Sequence, residues 1–562
     1  MEAVSITNAS LAVLSVWVIS RVVKLINGLK DVGYLPGLRV PFQPLCIPGV
    51  VFPSSKRWNP GLLFTWDWRK DLYKPFNGEI FSVVPFLHGA PTIYTNSMEI
   101  GRQVISAGHK TGVFGKTDSM GAAFLFWGPN IVAAERDTWR KHRRVMSPAF
   151  NNETYALVWS ESLRTYHDMI SAEGWHTKQT IDLPSIQRYT FKYTLLIIAS
   201  CGFGLPFSWS SPPSDSESET SMNIQDAIET ITQTNLFAIT VPKWTWSLPI
   251  PWIQRTRLAY DSMRTFMQKH VALRREDVRE RLANEETDGW RKDVFNLLIR
   301  ASEEGGKISL DDHDLVSVFI VDNEDRLIID FGQIGNVFAL MFAGHETTAH
   351  TLAAALGFLS IDQTVQDEVV AQIVEIVGDR DPTFEDYPKL DKVLAAFYEG
   401  VRMFPSGVFL IREAKEDTTI TYPKTDPSGR EENVVLPVAK GTHFIVDMVG
   451  VQYNPRYFSE PEVYRPSRWY RKTASADRDD KKTDLQDSED FTAFSVGPRA
   501  CIGRKFAATE AVCLLTLLLR DWRVEPLLEK GETAEEWRQR VMQATLLLTM
   551  GVKDVPVRFV KR

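Results

Sequence analysis

Four groups of residues in this chain have types and spacing that could do chemistry. The first is centred on Cys501, in the run Phe-Ser-Val-Gly-Pro-Arg-Ala-Cys-Ile-Gly from Phe494 to Gly503. Gly497 and Gly503 keep side-chain bulk away, so backbone N–H groups can reach the sulfur and stabilise a thiolate, the form in which a protein holds iron through sulfur. A buried free cysteine in a glycine-rich turn is the ordinary alternative for a lone Cys. The second is Ala343-Gly344-His345-Glu346-Thr347-Thr348. Gly and Thr weaken a helix there, and an acid beside such a distortion can relay protons; capping or solvation by the same side chains is the rival reading. The third is Trp139 with Arg143, four apart on one helical face, suited to donate to a buried carboxylate. The fourth, Glu399 with Arg402, is three apart on one face and by itself a weak signal.

Each group needs an element to position it. Arg504 to Arg520 reads as an apolar-rich helix, which sets Cys501 near the positive end of a helix dipole. The acid and its threonines lie in a long, mostly apolar helical pattern from Ile329 to Ser360, and Trp139 and Arg143 on a helix closing near Ser147-Pro148. Helical patterns also run from Asn152 to Gly202, from Arg257 to Leu282 and from Asp391. Phe81 to Thr95 suits a β-hairpin, and Thr545 to Met550 a second one. Phe124, Phe126 and Trp127 make the segment between Lys110 and Asn130 rich in aromatics. Trp244, Trp246 and Trp252 alternate with prolines in Val241 to Ile253, a loop suited either to a membrane surface or to the core. Ser302 to Leu327 is acidic, with Leu315 to Val321 able to form a short strand.

The bulk numbers narrow the class. With 562 residues and 44% hydrophobic content the chain can bury a large core. A net charge of -7 gives no basic excess for phosphates, so no nucleic-acid partner is expected. Four cysteines at unrelated spacings form neither a zinc pattern nor a disulfide framework, which fits a reducing compartment. Ala3 to Ser20 carries no charge, and about 18 such residues just span a bilayer core. Arg21, Lys24 and Lys30 follow that run instead of preceding it, which favours an anchor over a cleaved signal peptide and puts the rest of the chain on the cytoplasmic side.

The run around Cys501 resembles the haem-binding loop of the cytochrome P450 family, and Ala-Gly-His-Glu-Thr-Thr resembles that family's oxygen-activation motif. Trp-x-x-x-Arg, Glu-x-x-Arg and the later Pro466-Ser467-Arg468-Trp469 complete five motifs in family order. The resemblance implies a mainly α fold with a smaller β region, residues 61–562. Ahead of it lie an N-terminal membrane anchor over 1–26 and a Pro-rich hinge over 27–60 on the protein surface, and 471–490 is an exposed charged insertion. It implies haem b, with iron on Cys501, and a loop that includes Phe494 and Gly503. Propionate donors would be Trp139, Arg143, Arg412 and Arg499. Thr347 would hold the activated oxygen, Glu346 would face a solvent relay, and Glu399, Arg402 and Arg468 would form a structural triad.

The texture is similar to fungal membrane-bound P450 monooxygenases of secondary metabolism. This implies insertion of one oxygen atom from O2 into a lipophilic, terpenoid-like molecule. No Gly-x-Gly-x-x-Gly fingerprint appears, so electrons would come from NADPH through a separate NADPH-cytochrome P450 reductase, with cytochrome b5 as a further partner. The expected setting is the endoplasmic reticulum membrane, single-pass, with the catalytic domain facing the cytosol. A haem-thiolate isomerase or dehydratase, or a haem protein without turnover, are the alternatives; Glu346 and Thr347 favour oxygen activation.

Overall fold

Helices form here where apolar residues recur at helical spacing, and strands where β-branched and aromatic runs meet turn residues. The computed structural model describes residues 2–76, 78–117, 130–205, 207–210, 222–241, 243–284, 293–303, 332–425, 431–470, 493–546 and 549–562. The helices used below are, in chain order, α1 (Glu2–Asp31), α2 (Arg136–Met146), α3 (Asn152–Ala172), α4 (Gln187–Ile197), α5 (Pro251–Ala283), α6 (Gly332–Ile361), α7 (Asp391–Met403) and α8 (Arg504–Asp521). The strands are β1 (Gly37–Phe42), β2 (Ile80–His88), β3 (Thr92–Thr95), β4 (Phe114–Gly115), β5 (Thr180–Leu183), β6 (Phe409–Ala414), β7 (Thr418–Thr425), β8 (Glu431–Val438), β9 (His443–Asp447), β10 (Trp522–Pro526), β11 (Ala544–Leu546), β12 (Met550–Val552) and β13 (Val557–Lys561). Helix predominates. Phe124, Phe126, Trp127, residues 211–221, 304–331 and 471–492, and Leu547 and Leu548 lie outside the described residues.

One unit comprises Met1–Asp118, Gly407–Glu462 and Ser495–Ala500. Its sheet has the order β1-β2-β3-β9-β6-β4. Alternate residues serve opposite faces, as the strand period requires: Ile93, Phe444 and Val446 enter one core cluster, Tyr94 and Ile445 the other. The hairpin read at Phe81 to Thr95 is β2 and β3, antiparallel. Helix α1 runs through Asp31, past the expected anchor boundary at residue 26, and its last turns lie on β2. Arg21 and Lys24 donate to the Leu87 carbonyl, each at 3.1 Å, and Gly28 passes so close that a Cβ would stand 2.7 Å from Val84 Cγ1. Leu11 to Ile19 leave their large apolar side chains 45–71% exposed. By length and composition, Asn8–Asp31 can cross a bilayer, with mean hydropathy 1.8.

The Pro-rich stretch is a surface segment only in part: residues 51–58 are exposed, while its first half enters the sheet. β1 is part of the sheet and Val32, Leu35 and Val40 are buried. Pro41 is tolerated because β1 is an edge strand with a register shift between Val40 and Phe42.

The other unit comprises Ser119–Ser406, Val463–Phe494 and Cys501–Arg562. Here α6 is packed by α4, α7 and β12, while α8 is packed by α3 and α7. The helix α6 continues unbroken through Ala343-Gly344-His345-Glu346-Thr347-Thr348. A three-stranded antiparallel sheet runs β10-β13-β5. β5 interrupts what the sequence presents as continuous helix from Asn152 to Gly202. It forms because Ile181 and Leu183 bury one face while pairing with β13. The hairpin read near 545–550 is β11 with β12, Leu546 opposite Met550.

Candidate active site

The residues from Phe494 to Gly503 are tied together by their own backbone before any partner is considered. Cys501 N–H donates to the Phe494 carbonyl at 2.9 Å, and Gly503 precedes α8 as its N-cap. The Phe494 ring meets Tyr398 edge-on at 6.1 Å, and the Arg504 guanidinium lies 5.6 Å from the Phe494 centroid. Cys501 is exposed, yet what it faces is a cavity, so its thiol is desolvated and its pKa is raised. The Gly503 and Arg504 N–H groups and the Arg143 and Arg504 charges act against that rise.

The cavity encloses about 610 Å³ of space between atoms, its open mouth included. One wall is Phe494, Cys501, Ile502, Gly503, Phe506 and Ala507; another is Leu340, Ala343, Gly344, Thr347 and Thr348 of α6. Leu340, Ala343, Gly344 and Thr347 recur at helical spacing, so one stripe of α6 faces in. Gly344 lets the helix approach Ile198, whose Cδ1 and Cγ1 would each stand 2.9 Å from a Cβ at this position. Thr347 Oγ1 donates to the Ala343 carbonyl at 2.9 Å, which satisfies the hydroxyl without unwinding the helix. The small residues facing a cysteine sulfur across an apolar space fit a flat apolar cofactor held through sulfur.

Glu346 is on a different face of α6. It is fully buried instead of facing a solvent relay, and its Oε1 accepts from Thr549 Oγ1 at 2.6 Å. Its Oε2 has no partner among the described residues, and burial pushes its pKa up from 4.5 to about 7. The reason for the departure is the hairpin β11–β12, which packs on α6 and covers this face.

On α2, Trp139 is buried and Arg143 is half-buried, close enough for its charge to act on Cys501. Between them, His142 was not singled out by sequence. It is fully buried with Nδ1 2.8 Å from Asn336 Nδ2, and burial lowers its pKa to about 4. Asn336 Oδ1 accepts from the Ile131 N–H, so its amide nitrogen is the donor to His142.

The third assembly is an ion cluster under α7. Glu399 accepts from Arg402 through Nε and Nη2, both at 2.9 Å, and from Arg468 Nε at 3.2 Å. The Arg465 N–H at 2.9 Å and the Trp469 indole N–H at 2.8 Å complete its shell. Glu399 and Arg402 are fully buried. Trp469 could have been found as a donor, since an indole N–H beside a buried carboxylate needs a partner. Arg412 and Arg499 belong to the other unit. Arg412 is buried on β6 and donates to the Ile411 carbonyl at 2.7 Å; Arg499 is half-buried in a short turn from Gly497.

Comparison with known proteins agrees with this chemistry. The sequence pattern of the family described as Cytochrome P450 matches residues 70–322 and 331–549. The chain is 29% identical to cytochrome P450 monooxygenase 124 of Postia placenta over 513 residues, covering 89% of each chain. It is 24% identical to the phomenoic acid biosynthesis cluster cytochrome P450 monooxygenase of Leptosphaeria maculans, over 91% of this chain and 90% of that one. It is 25% identical to cytochrome P450 4F11 of Homo sapiens, over 71% and 69%. The chain therefore belongs to the cytochrome P450 family and is a haem-thiolate monooxygenase, an oxidoreductase.

Proposed function

We propose that this chain oxygenates a lipophilic secondary metabolite of terpenoid type, drawing two electrons from NADPH through a separate NADPH-cytochrome P450 reductase, with cytochrome b5 as a second donor. One atom of O2 enters a substrate C–H bond, and the other leaves as water with two protons and the two electrons. The observation that carries the reading is the sulfur of Cys501 opening on an apolar cavity opposite Ala343, Gly344 and Thr347. Haem bound through the Cys501 thiolate supplies the activation of dioxygen. Trp139 and Arg143 would hold its carboxylates by charge-assisted hydrogen bonds. Phe494 and Gly503 shape the loop around the sulfur, and Glu399, Arg402 and Arg468 keep that loop in register.

The chain's own part in catalysis is to exclude water and deliver protons. The apolar lining leaves few sites for stray water. Thr347 presents a hydroxyl to the cavity wall, and Glu346 stores a proton on Oε2. The secondary-metabolite class is supported by the biosynthesis-cluster relative in Leptosphaeria maculans; the terpenoid choice rests on sequence texture.

The protein sits in the endoplasmic reticulum membrane, crossing once through α1, with its catalytic part in the cytosol. Trp244 and Trp252 are 66% and 50% exposed and rest on the bilayer surface. The test is a reconstitution with reductase and NADPH, in which terpenoid candidates yield products one oxygen heavier and the reduced carbon monoxide spectrum is that of a thiolate. A spectrum of histidine ligation, or product without NADPH, overturns it. For the membrane contact, lipid-borne quenchers should dim tryptophan fluorescence of a form lacking α1 less when Trp244 is replaced by Phe.

A further inference from the structure

The C-terminal hairpin touches α6 at two points that involve polar groups. Thr549, at the foot of β12, donates its hydroxyl to Glu346 Oε1 at 2.6 Å. Two residues on, Gly551 lies against the imidazole of His350, where any Cβ would run into the ring. His350 also meets Phe191, edge to face at 4.8 Å. Glu346 and His350 are four apart and so share a face of α6.

Through these contacts the hairpin orients a buried acid from outside the helix. Glu346 gets no charged partner in return. The titratable groups of its own helix, His345 and His350, are both kept neutral by burial at about 4. On the elements packed against α6, Tyr193 of α4 is buried with its pKa well raised, Glu510 of α8 is buried and raised likewise, and Glu399 and Arg402 of α7 satisfy each other. With Oε1 accepting from Thr549, the proton of the neutral carboxyl is left to Oε2, which has no acceptor among the described residues.

We propose that Thr549 is a positioning residue, whose hydroxyl fixes Glu346 with its proton on Oε2 and thereby sets the efficiency of proton delivery. The role rests on the reading of Glu346 as the proton-storing acid. It makes the hairpin β11–β12 part of the proton machinery. Thr549 itself transfers nothing; its hydroxyl stays a donor throughout.

The experiment compares full-length, haem-loaded wild type with Thr549→Val, Thr549→Ala, Thr549→Ser, Glu346→Gln and the Glu346→Gln/Thr549→Val double variant. Product formed per NADPH consumed is measured across pH, with the infrared carbonyl stretch of the protonated Glu346 carboxyl as the second readout. Loss of one hydroxyl donor should lower coupling about fivefold in Thr549→Val and Thr549→Ala, while Thr549→Ser stays near wild type. The pH profile of Thr549→Val should move upward, because the lost hydrogen bond had favoured the carboxylate. The infrared band should shift in Thr549→Val and vanish in Glu346→Gln. In the double variant the Thr549 change should add nothing, since it acts only through Glu346.

Normal coupling in Thr549→Val beside poor coupling in Glu346→Gln overturns the positioning role alone. Normal coupling in Glu346→Gln overturns the underlying reading of the acid. Additive losses in the double variant, or failure of both Thr549→Val and Thr549→Ala to load haem while Thr549→Ser loads it, show a strut and also overturn the role.

Discussion

Glu346 and Glu399 are both fully buried carboxyls in one unit, and their surroundings are opposite. Glu399 accepts from two guanidinium groups, one backbone N–H and one indole N–H. Glu346 accepts from one hydroxyl. A buried carboxylate with matched charge and filled lone pairs is locked, and removing it strands its partners. A buried carboxyl with one weak donor is pushed toward its neutral form and can exchange a proton near neutral pH. The number and charge of the donors, not burial, separates a structural acid from a working one.

The largest effect should come from Glu399→Ala, which removes the carboxylate that buried Arg402 and half-buried Arg468 both donate to. A cost of about 3–5 kcal/mol is expected, with little haem-loaded protein in the reduced carbon monoxide spectrum. Normal haem content would break the comparison at its structural end. Trp469→Phe removes one donor to the same carboxylate and should cost about 1.5–3 kcal/mol, read as a lower midpoint in urea. No change there would mean the indole bond is idle.

Gly551→Ala puts a methyl into the His350 ring, so an overpacking cost of about 1–3 kcal/mol is expected in thermal unfolding. A midpoint equal to wild type would show that the hairpin can slide off α6. The remaining test is a pH slope. Because the folded pKa of Glu346 is raised from 4.5 to about 7, its contribution to stability is full below the lower value and is lost as pH rises to the higher one. Glu346→Gln lacks this loss, so its stability relative to wild type should rise through that window and be flat outside it. A constant difference from pH 4 to 8, followed by paired denaturant titrations, would remove the contrast with Glu399.

The sequence made some elements legible and hid others for identifiable reasons. Long apolar helices such as α6 and α8, and the hairpin β2–β3, carry their period within one stretch of chain, so pattern alone finds them. β5 carries only two inward residues, Ile181 and Leu183, and exists because β13 pairs with it from the far end of the chain. In the Pro-rich stretch Pro41 suggests a break, whereas an edge strand with a register shift accommodates it. Of the polar residues around the cavity and the ion cluster, those in short recognisable spacings could be singled out. His142 and Thr549 could not, since each gains meaning only from a partner distant in sequence.

By itself the sequence determined the residue types: a cysteine between glycines, an acid beside threonines on a long apolar helix, and an uncharged N-terminal run. Local spacing suffices for these because helical periodicity and turn chemistry act over a few residues. The tertiary structure decided what each acid is worth. Glu346 and Glu399 are chemically the same side chain, and only the donors folded around them make one a locked anchor and the other a carboxyl poised near neutrality.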